Sequence, residues 1–329
     1  SINVAKQALA IGLNKSLQDD FNGVKAVNRE EACLYAFNTL KADLVDYETI
    51  ISTTINGETV NIGNSKAKAM QWLNSTTRIN NIKNDEYIQF AEQYFPKLVL
   101  TNDTDVFGRP TREWEFKGKD IGEYVNTDLL VETYSKKVTG KVLYELLGKS
   151  TVDDYDFSIY IDGETEKDIL DSAYFTEGNI VKTNTEKVGA TGNGVTTEVY
   201  VDVDAKEVTI AIINTYVAVA EDDYNEKKEE ASFEVWGITD AGKQQYVKNT
   251  KKTETNMKVS NDDINVEDIE DGDVVLVTVA DGEIQTIAQP DVLDAVTITK
   301  FSKGDYITTG GTEYDYADTA MYDDDVLDK

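Results

Sequence analysis

Apolar residues follow two different rhythms along this chain. Up to about residue 48 the rhythm is helical. Val4, Ala5, Ala8, Leu9 and Ile11 recur on one face of a first helix, and Ala32, Cys33, Tyr35, Ala36, Leu40 and Leu44 on one face of a second. Asn28, followed by Arg29, Glu30 and Glu31, reads as an N-cap with Glu at the third helical position, so the second helix should open there. Gly12, Asp19, Asp20, Asn22 and Gly23 mark the loop between the two.

Beyond Tyr47 the pattern becomes mixed. Residues 50–62 predict a hairpin turning at Asn56-Gly57. Residues 67–72 and 86–95 predict helices, the second closed by Pro96. A loop over 103–110 leads into a strand in which Trp114 and Phe116 alternate with charged residues. A short helix over 142–147 should end at Gly148. From about 155 onward the period is two. Phe157, Ile159 and Ile161 alternate with polar residues, as do Val199, Val201 and Val203. The β-branched run 208–220 reads as one long central strand, and Asp281-Gly282 marks a second hairpin. Two polar stretches, 221–230 and 248–270, are either boundaries or long exposed hairpins. The expected class is α+β, mostly β: a short N-terminal helical region followed by β-sandwich or small β-barrel modules. The expected divisions are 1–48, 49–150, 151–247 and 248–329.

Charge narrows the range of partners. Sixty-two acids against 32 bases leave a net charge of −30, a field that repels nucleic acid and anionic membranes. No apolar run reaches the roughly 18 residues that a membrane-spanning helix needs, so no membrane insertion is expected. The 329 residues contain no histidine and one cysteine. That removes the usual triad base, the commonest zinc ligand and any internal disulfide.

The segment Ala8-Leu9-Ala10-Ile11-Gly12-Leu13, then Asn28-Arg29-Glu30-Glu31-Ala32 and an apolar helix, resembles the end of an S-layer homology (SLH) domain. The resemblance covers about the first 48 residues, with Asn28 standing where the family has Thr or Ser. The rest resembles the body of SLH-bearing surface proteins of Gram-positive-type anaerobes. It does so through Phe107-Gly108-Arg109-Pro110 with Trp114, Ile121-Gly122-Glu123-Tyr124, the segments 194–202 and 208–219, and Gly272-Asp273-Val274-Val275. The family binds anionic secondary cell-wall polymers between repeats. The resemblance therefore implies wall-polymer binding through upstream repeats, with Arg29 in the position of the motif arginine; a guanidinium suits a carboxylate sugar.

Acid clusters nominate calcium as the one cofactor to look for, since it needs six to eight converging oxygens. The clusters are Asp153, Asp154 and Asp156; Asp202, Asp204 and Glu207; Asp262, Asp263, Glu267, Asp268 and Asp271; and Asp323, Asp324 and Asp325. Asp202 and Asp204 lead because alternation puts both on one strand face. Cys33 reads as a small core residue, and Trp72, Trp114 and Trp236 as core aromatics. No nucleophile motif is present. The expectation is a non-enzymatic structural protein, extracellular in the cell wall or S-layer, which associates with itself or with neighbouring surface proteins. An adhesin or filament subunit is the alternative, and a wall-polysaccharide-active enzyme the third reading.

Overall fold

The structure is a computed structural model. It describes residues 2–17, 21–22, 24–47, 50–63, 67–69, 82–83, 85–165, 182–183, 185, 188–189, 191–238, 254–293, 295–302 and 305–320. The class is α+β and mostly β, with four helices and twenty strands among the described residues. The chain divides into two compact units. The first is Ser1–Asn102 with Arg112–Tyr124, and the second is Asp103–Thr111 with Val125–Lys329.

The first unit begins with α1 (Ile2–Ala10) and α2 (Arg29–Leu40). Asn28 caps α2 as its spacing predicts. Its Oδ1 accepts from the Glu31 N–H at 2.8 Å, and Glu31 Oε2 accepts from the Asn28 N–H at 3.0 Å. Each bond satisfies a donor that the helix end would otherwise leave open. Lys25 Nζ lies 2.7 Å from the other Glu31 oxygen and holds that carboxyl below its usual range. Replacing Asn28 with Ala should therefore cost about 1 kcal/mol of unfolding free energy. A denaturant titration showing no loss would contradict this cap assignment.

The predicted apolar stripes are only partly covered. Leu9, Ile11, Ala32, Cys33 and Ala36 are exposed, and Cys33 is a free surface thiol, not a core residue. The buried residues of α2 are Glu31 and Asn38. Asn38 Nδ2 donates to Leu13 O and Lys15 O, each at 2.9 Å, and so ties the segment after α1 to the second helix. In this helix a polar anchor occupies a position where periodicity reads only apolar contacts.

Four short strands follow, in part as expected. β1 (Val45–Tyr47) pairs with β4 (Ala67–Ala69), while β2 (Ile50–Ile55) and β3 (Glu58–Gly63) form the predicted hairpin, with Asn56 at φ 53° and Gly57 at φ 87°. Ala67–Ala69 is thus strand and not helix. Its partner lies some twenty residues upstream, and pairing at that distance overrides local propensity; residues 70–72 lie outside the described residues. The predicted helix over 86–95 shortens to α3 (Phe90–Tyr94), just ahead of Pro96. β5 (Leu98–Thr104), β6 (Pro110–Phe116) and β7 (Asp120–Val125) make a meander. Ile82, Ala91, Leu98, Leu100 and Trp114 form this unit's core, and Phe37 packs on Trp114 at 5.6 Å between ring centres.

Among its described residues the second unit holds three sheets. The first has the order β10-β9-β12-β11-β8, built from β8 (Leu130–Tyr134), β9 (Asp156–Ile161), β10 (Glu164–Thr165), β11 (Val195–Asp202) and β12 (Glu207–Asn214). Among the described residues of this sheet only the β9–β12 pair is parallel. α4 (Gly140–Asp154) contributes Leu143 and Val152 to the same core as Ile159, Val199, Val208, Ile210 and Ile212. Gly148 closes the first helical piece as its position predicts, at φ 78°, and a second piece follows through Asp154.

The second sheet is antiparallel, with the order β15-β14-β13-β16-β17. Its strands are β13 (Tyr216–Ala220), β14 (Glu230–Trp236), β15 (Glu254–Ser260), β16 (Val274–Ala280) and β17 (Glu283–Ala288). Its edges β15 and β17 come into contact, which curls the sheet toward a small barrel around Phe233, Val235, Val275 and Val277. The polar stretch 221–229 is the connection between β13 and β14, and Glu254–Ser260 of the other stretch is strand. The run 208–220 is two strands and not one: it breaks at Thr215, leaving β12 in one sheet and β13 in the other. The third sheet is β18 (Ile298–Ser302), β19 (Tyr306–Thr309) and β20 (Thr312–Asp315), antiparallel in chain order.

Candidate functional site

Asp162 explains the break at Thr215. It follows β9, and its N–H continues the ladder to Ile212 O at 2.9 Å. Its carboxylate then takes over from the backbone. One oxygen accepts from Asn214 N at 2.8 Å; the other accepts from Asn214 Nδ2 at 2.9 Å and Tyr216 Oη at 2.5 Å. Asn214 and Tyr216 are both buried. The chain can therefore leave one sheet for the next without abandoning buried donors at the crossing. Burial pushes the Asp162 carboxyl from 3.8 up to about 6, partly offset by the Tyr216 hydroxyl and the Asn214 donors.

A second polar cluster gathers residues from two of the motifs that the sequence singles out. Asp105 Oδ1 accepts from Phe107 N at 3.0 Å and Arg109 N at 2.9 Å, while its Oδ2 meets Arg109 Nε at 2.7 Å. The Arg109 guanidinium also lies 3.8 Å from Glu198, which accepts the Tyr200 hydroxyl at 2.7 Å. Tyr200 is buried, and burial, then its bond to Glu198, raises its hydroxyl above the usual range. Phe107 is buried with Ile213 and Ala280, and Gly108 packs against the face of Tyr160. Arg109 bridges the two carboxylates, and the cluster fixes the 103–111 turn onto the first sheet. The arrangement is a clasp that joins loop to strand.

The residues nominated from sequence are not brought together. Arg29 is exposed in the first turn of α2. Asp202 ends β11, and its Oδ1 accepts from Asp204 N and Ala205 N at 2.9 Å each, so this carboxylate organises the turn into β12. Asp204 lies in that turn and not on the strand face that alternation gives it. Asp153 pairs with Lys149, Asp154 accepts from Ser150 Oγ at 3.2 Å, and Glu267 accepts from Asn261 Nδ2 at 3.2 Å. Among the described residues no group of three or more Asp, Glu or Cys is placed to hold a metal ion. Asp323, Asp324, Asp325 and Trp72 lie outside the described residues. Trp114 is core, and Trp236 is half-buried with Nε1 donating to Glu234 at 2.9 Å.

One surface was not singled out by the sequence. In the third sheet Ile298, Phe301 and Tyr314 are 54, 57 and 40% exposed, and Val292, Leu293 and Val296 just upstream are also exposed. Register explains the pattern. Phe301, Ile307 and Tyr314 lie in one row across the sheet, and Lys300, Thr308 and Glu313 in the adjacent row on the opposite face. A bulge at Thr299 returns Ile298 to the face of Phe301. One face therefore exposes Ile298, Phe301 and Tyr314 around a half-buried Ile307 and a buried Thr309, and the other carries Lys300, Glu313 and Asp315. Short strands of mixed composition hid this, because alternation broken by a bulge does not read as a stripe.

No protein-family model, no curated protein and no solved structure matches this chain. Among the described residues no helix is long and apolar enough to cross a membrane.

Proposed function

We propose that this protein is a structural subunit of a bacterial cell surface that assembles through protein–protein contacts. The observation that carries the reading is the exposure of Ile298, Phe301 and Tyr314 on one face of the β18–β20 sheet, in a chain with net charge −30. Contiguous apolar surface on a highly charged protein is what a subunit interface requires. The polar clusters support the same reading, since Asp162, Asp105, Arg109 and Glu198 are spent on holding strands and turns in place. The resemblance of residues 1–48 to an SLH repeat supplies the cell-wall location, with wall polymer held through upstream repeats and Arg29 as this segment's contact. Acid-rich rims bridged by calcium belong to the proposal as an aid to assembly.

Sedimentation velocity over a hundredfold concentration range, with calcium and with chelator, tests it. The sedimentation coefficient should rise with concentration, and calcium should shift that rise to lower concentration. A single species at every concentration in both buffers would contradict assembly, and identical curves in the two buffers would remove the calcium element alone. A filament subunit is the second reading, favoured by the two unlike edges of the β18–β20 sheet.

A further inference from the structure

The β18–β20 sheet has two edges that differ in charge. β18 presents Lys300, and β20 presents Glu313 and Asp315. Among the described residues each edge strand pairs only with β19, so each has one side without a strand neighbour. Unpaired strand edges template further pairing unless charge or shape forbids it. Here charge forbids like with like. Joining β20 to β20 of another copy sets acids beside acids, and joining β18 to β18 sets lysine beside lysine, both unfavourable across a strand pair.

We propose that the occupant of these edges is a second copy of this chain, with β18 of one copy adding to β20 of the next. This inference rests on the assembly reading above and names its interface. Charge complementarity selects the pairing, and the rows support it. The row Phe301–Ile307–Tyr314 continues into Phe301 of the next copy, and the row Lys300–Thr308–Glu313 continues into its Lys300. Aromatic meets aromatic on one face, and cation meets acid on the other. The bulge at Thr299 confines the paired run of β18 to its last residues, so the match is short and depends on those side chains.

The symmetry follows. β18 and β20 both run antiparallel to β19 and hence parallel to each other. A copy that keeps both faces aligned while offering the unlike edge is related by translation, combined with the twist of the sheet. Such a heterologous contact does not close as a two-fold dimer; it propagates.

Charge reversal in trans tests the pairing. Lys300→Glu sets Glu against Glu313 at the junction, and Glu313→Lys sets Lys against Lys300, so each variant alone should need at least tenfold more protein than wild type to assemble. Mixed one to one, Glu at 300 meets Lys at 313 at one junction and Lys300 meets Glu313 at the next, so assembly should return to the wild-type threshold. If wild type assembles and either variant assembles equally well alone, or the mixture fails to recover, the edge pairing is wrong while the assembly reading stands. If wild type does not assemble, both fall. A disulfide version guards against a reversal that unfolds the sheet. Ser302→Cys and Asp315→Cys, each in a Cys33→Ser background, lie in one row, and neighbouring strands bring such Cα atoms within disulfide range. The mixture should form a linked dimer and neither variant alone should; no link in an assembling mixture overturns the pairing.

Discussion

At pH 5, Asp162→Ala should cost about 4 kcal/mol of unfolding free energy in the second unit, because a buried donor left without its acceptor costs about 1–3 kcal/mol and three donors share this carboxylate. The residue also sits at φ 50°, which Asp tolerates better than Ala. The cost should depend on pH with a defined sign. The folded protein raises this carboxyl from 3.8 to about 6, so between those values the native state holds the proton more tightly than the unfolded chain. Its contribution to stability is fully present below 3.8 and is lost as pH rises through 6. The whole effect amounts to about 3 kcal/mol, of which about 1 kcal/mol falls between pH 5 and pH 7.5. The penalty for Asp162→Ala should therefore shrink by about 1 kcal/mol over that interval. Subtracting variant from wild type cancels the remaining carboxylates. A penalty under 1 kcal/mol at pH 5, or one that grows toward neutral pH, would remove Asp162 from the strand crossing.

Gly108→Ala should cost about 3 kcal/mol, through two effects that coincide at one atom. Gly108 has φ 80°, where a side chain is strained, and a Cβ built there falls on the Tyr160 ring. The ring cannot retreat cheaply, since Tyr160 belongs to β9, which is paired on both sides. The turn should then loosen from the sheet, exposing Phe107 and lengthening the Arg109–Glu198 contact. Denaturant unfolding gives the energy, and hydrogen exchange at the Phe107 and Arg109 amides gives the location. Both amides donate to Asp105, so their protection reports the clasp directly. Unchanged protection with a stability loss below 0.5 kcal/mol would show that the turn adapts, and that the clasp does not need a glycine.

These two sites also show what the sequence leaves hidden. Features specified within a few residues were legible. The Asn28–Glu31 cap and the Asn56-Gly57 and Asp281-Gly282 turns each follow from local dihedral or hydrogen-bonding needs, and the alternation in β9 follows from one more deeply buried face. Features specified at a distance were not. Between residues 208 and 220 only Asn214-Thr215 hints at a break, because the acceptor that ends β12 is Asp162, 52 residues away. The pairing that makes Ala67–Ala69 a strand is set by Val45–Tyr47. Likewise, Glu31 and Asn38 are buried on α2 for the sake of a capping box and of two carbonyls on another segment, neither of which a hydrophobic period can register. The local work of individual carboxylates was hidden for a related reason. Carboxylates such as Asp202 and Asp105 are placed to accept backbone N–H groups at turns, a local task that needs no ion.

Asp162 and Gly108 concern how the unit is built, and the β18–β20 sheet bears on the proposed function. Negative-stain electron microscopy of the concentrated wild-type protein addresses the second directly. The proposed function predicts extended ordered assemblies, fibres or sheets, at a spacing comparable to one subunit. A field of separate single-chain particles at every concentration and salt tried would contradict it.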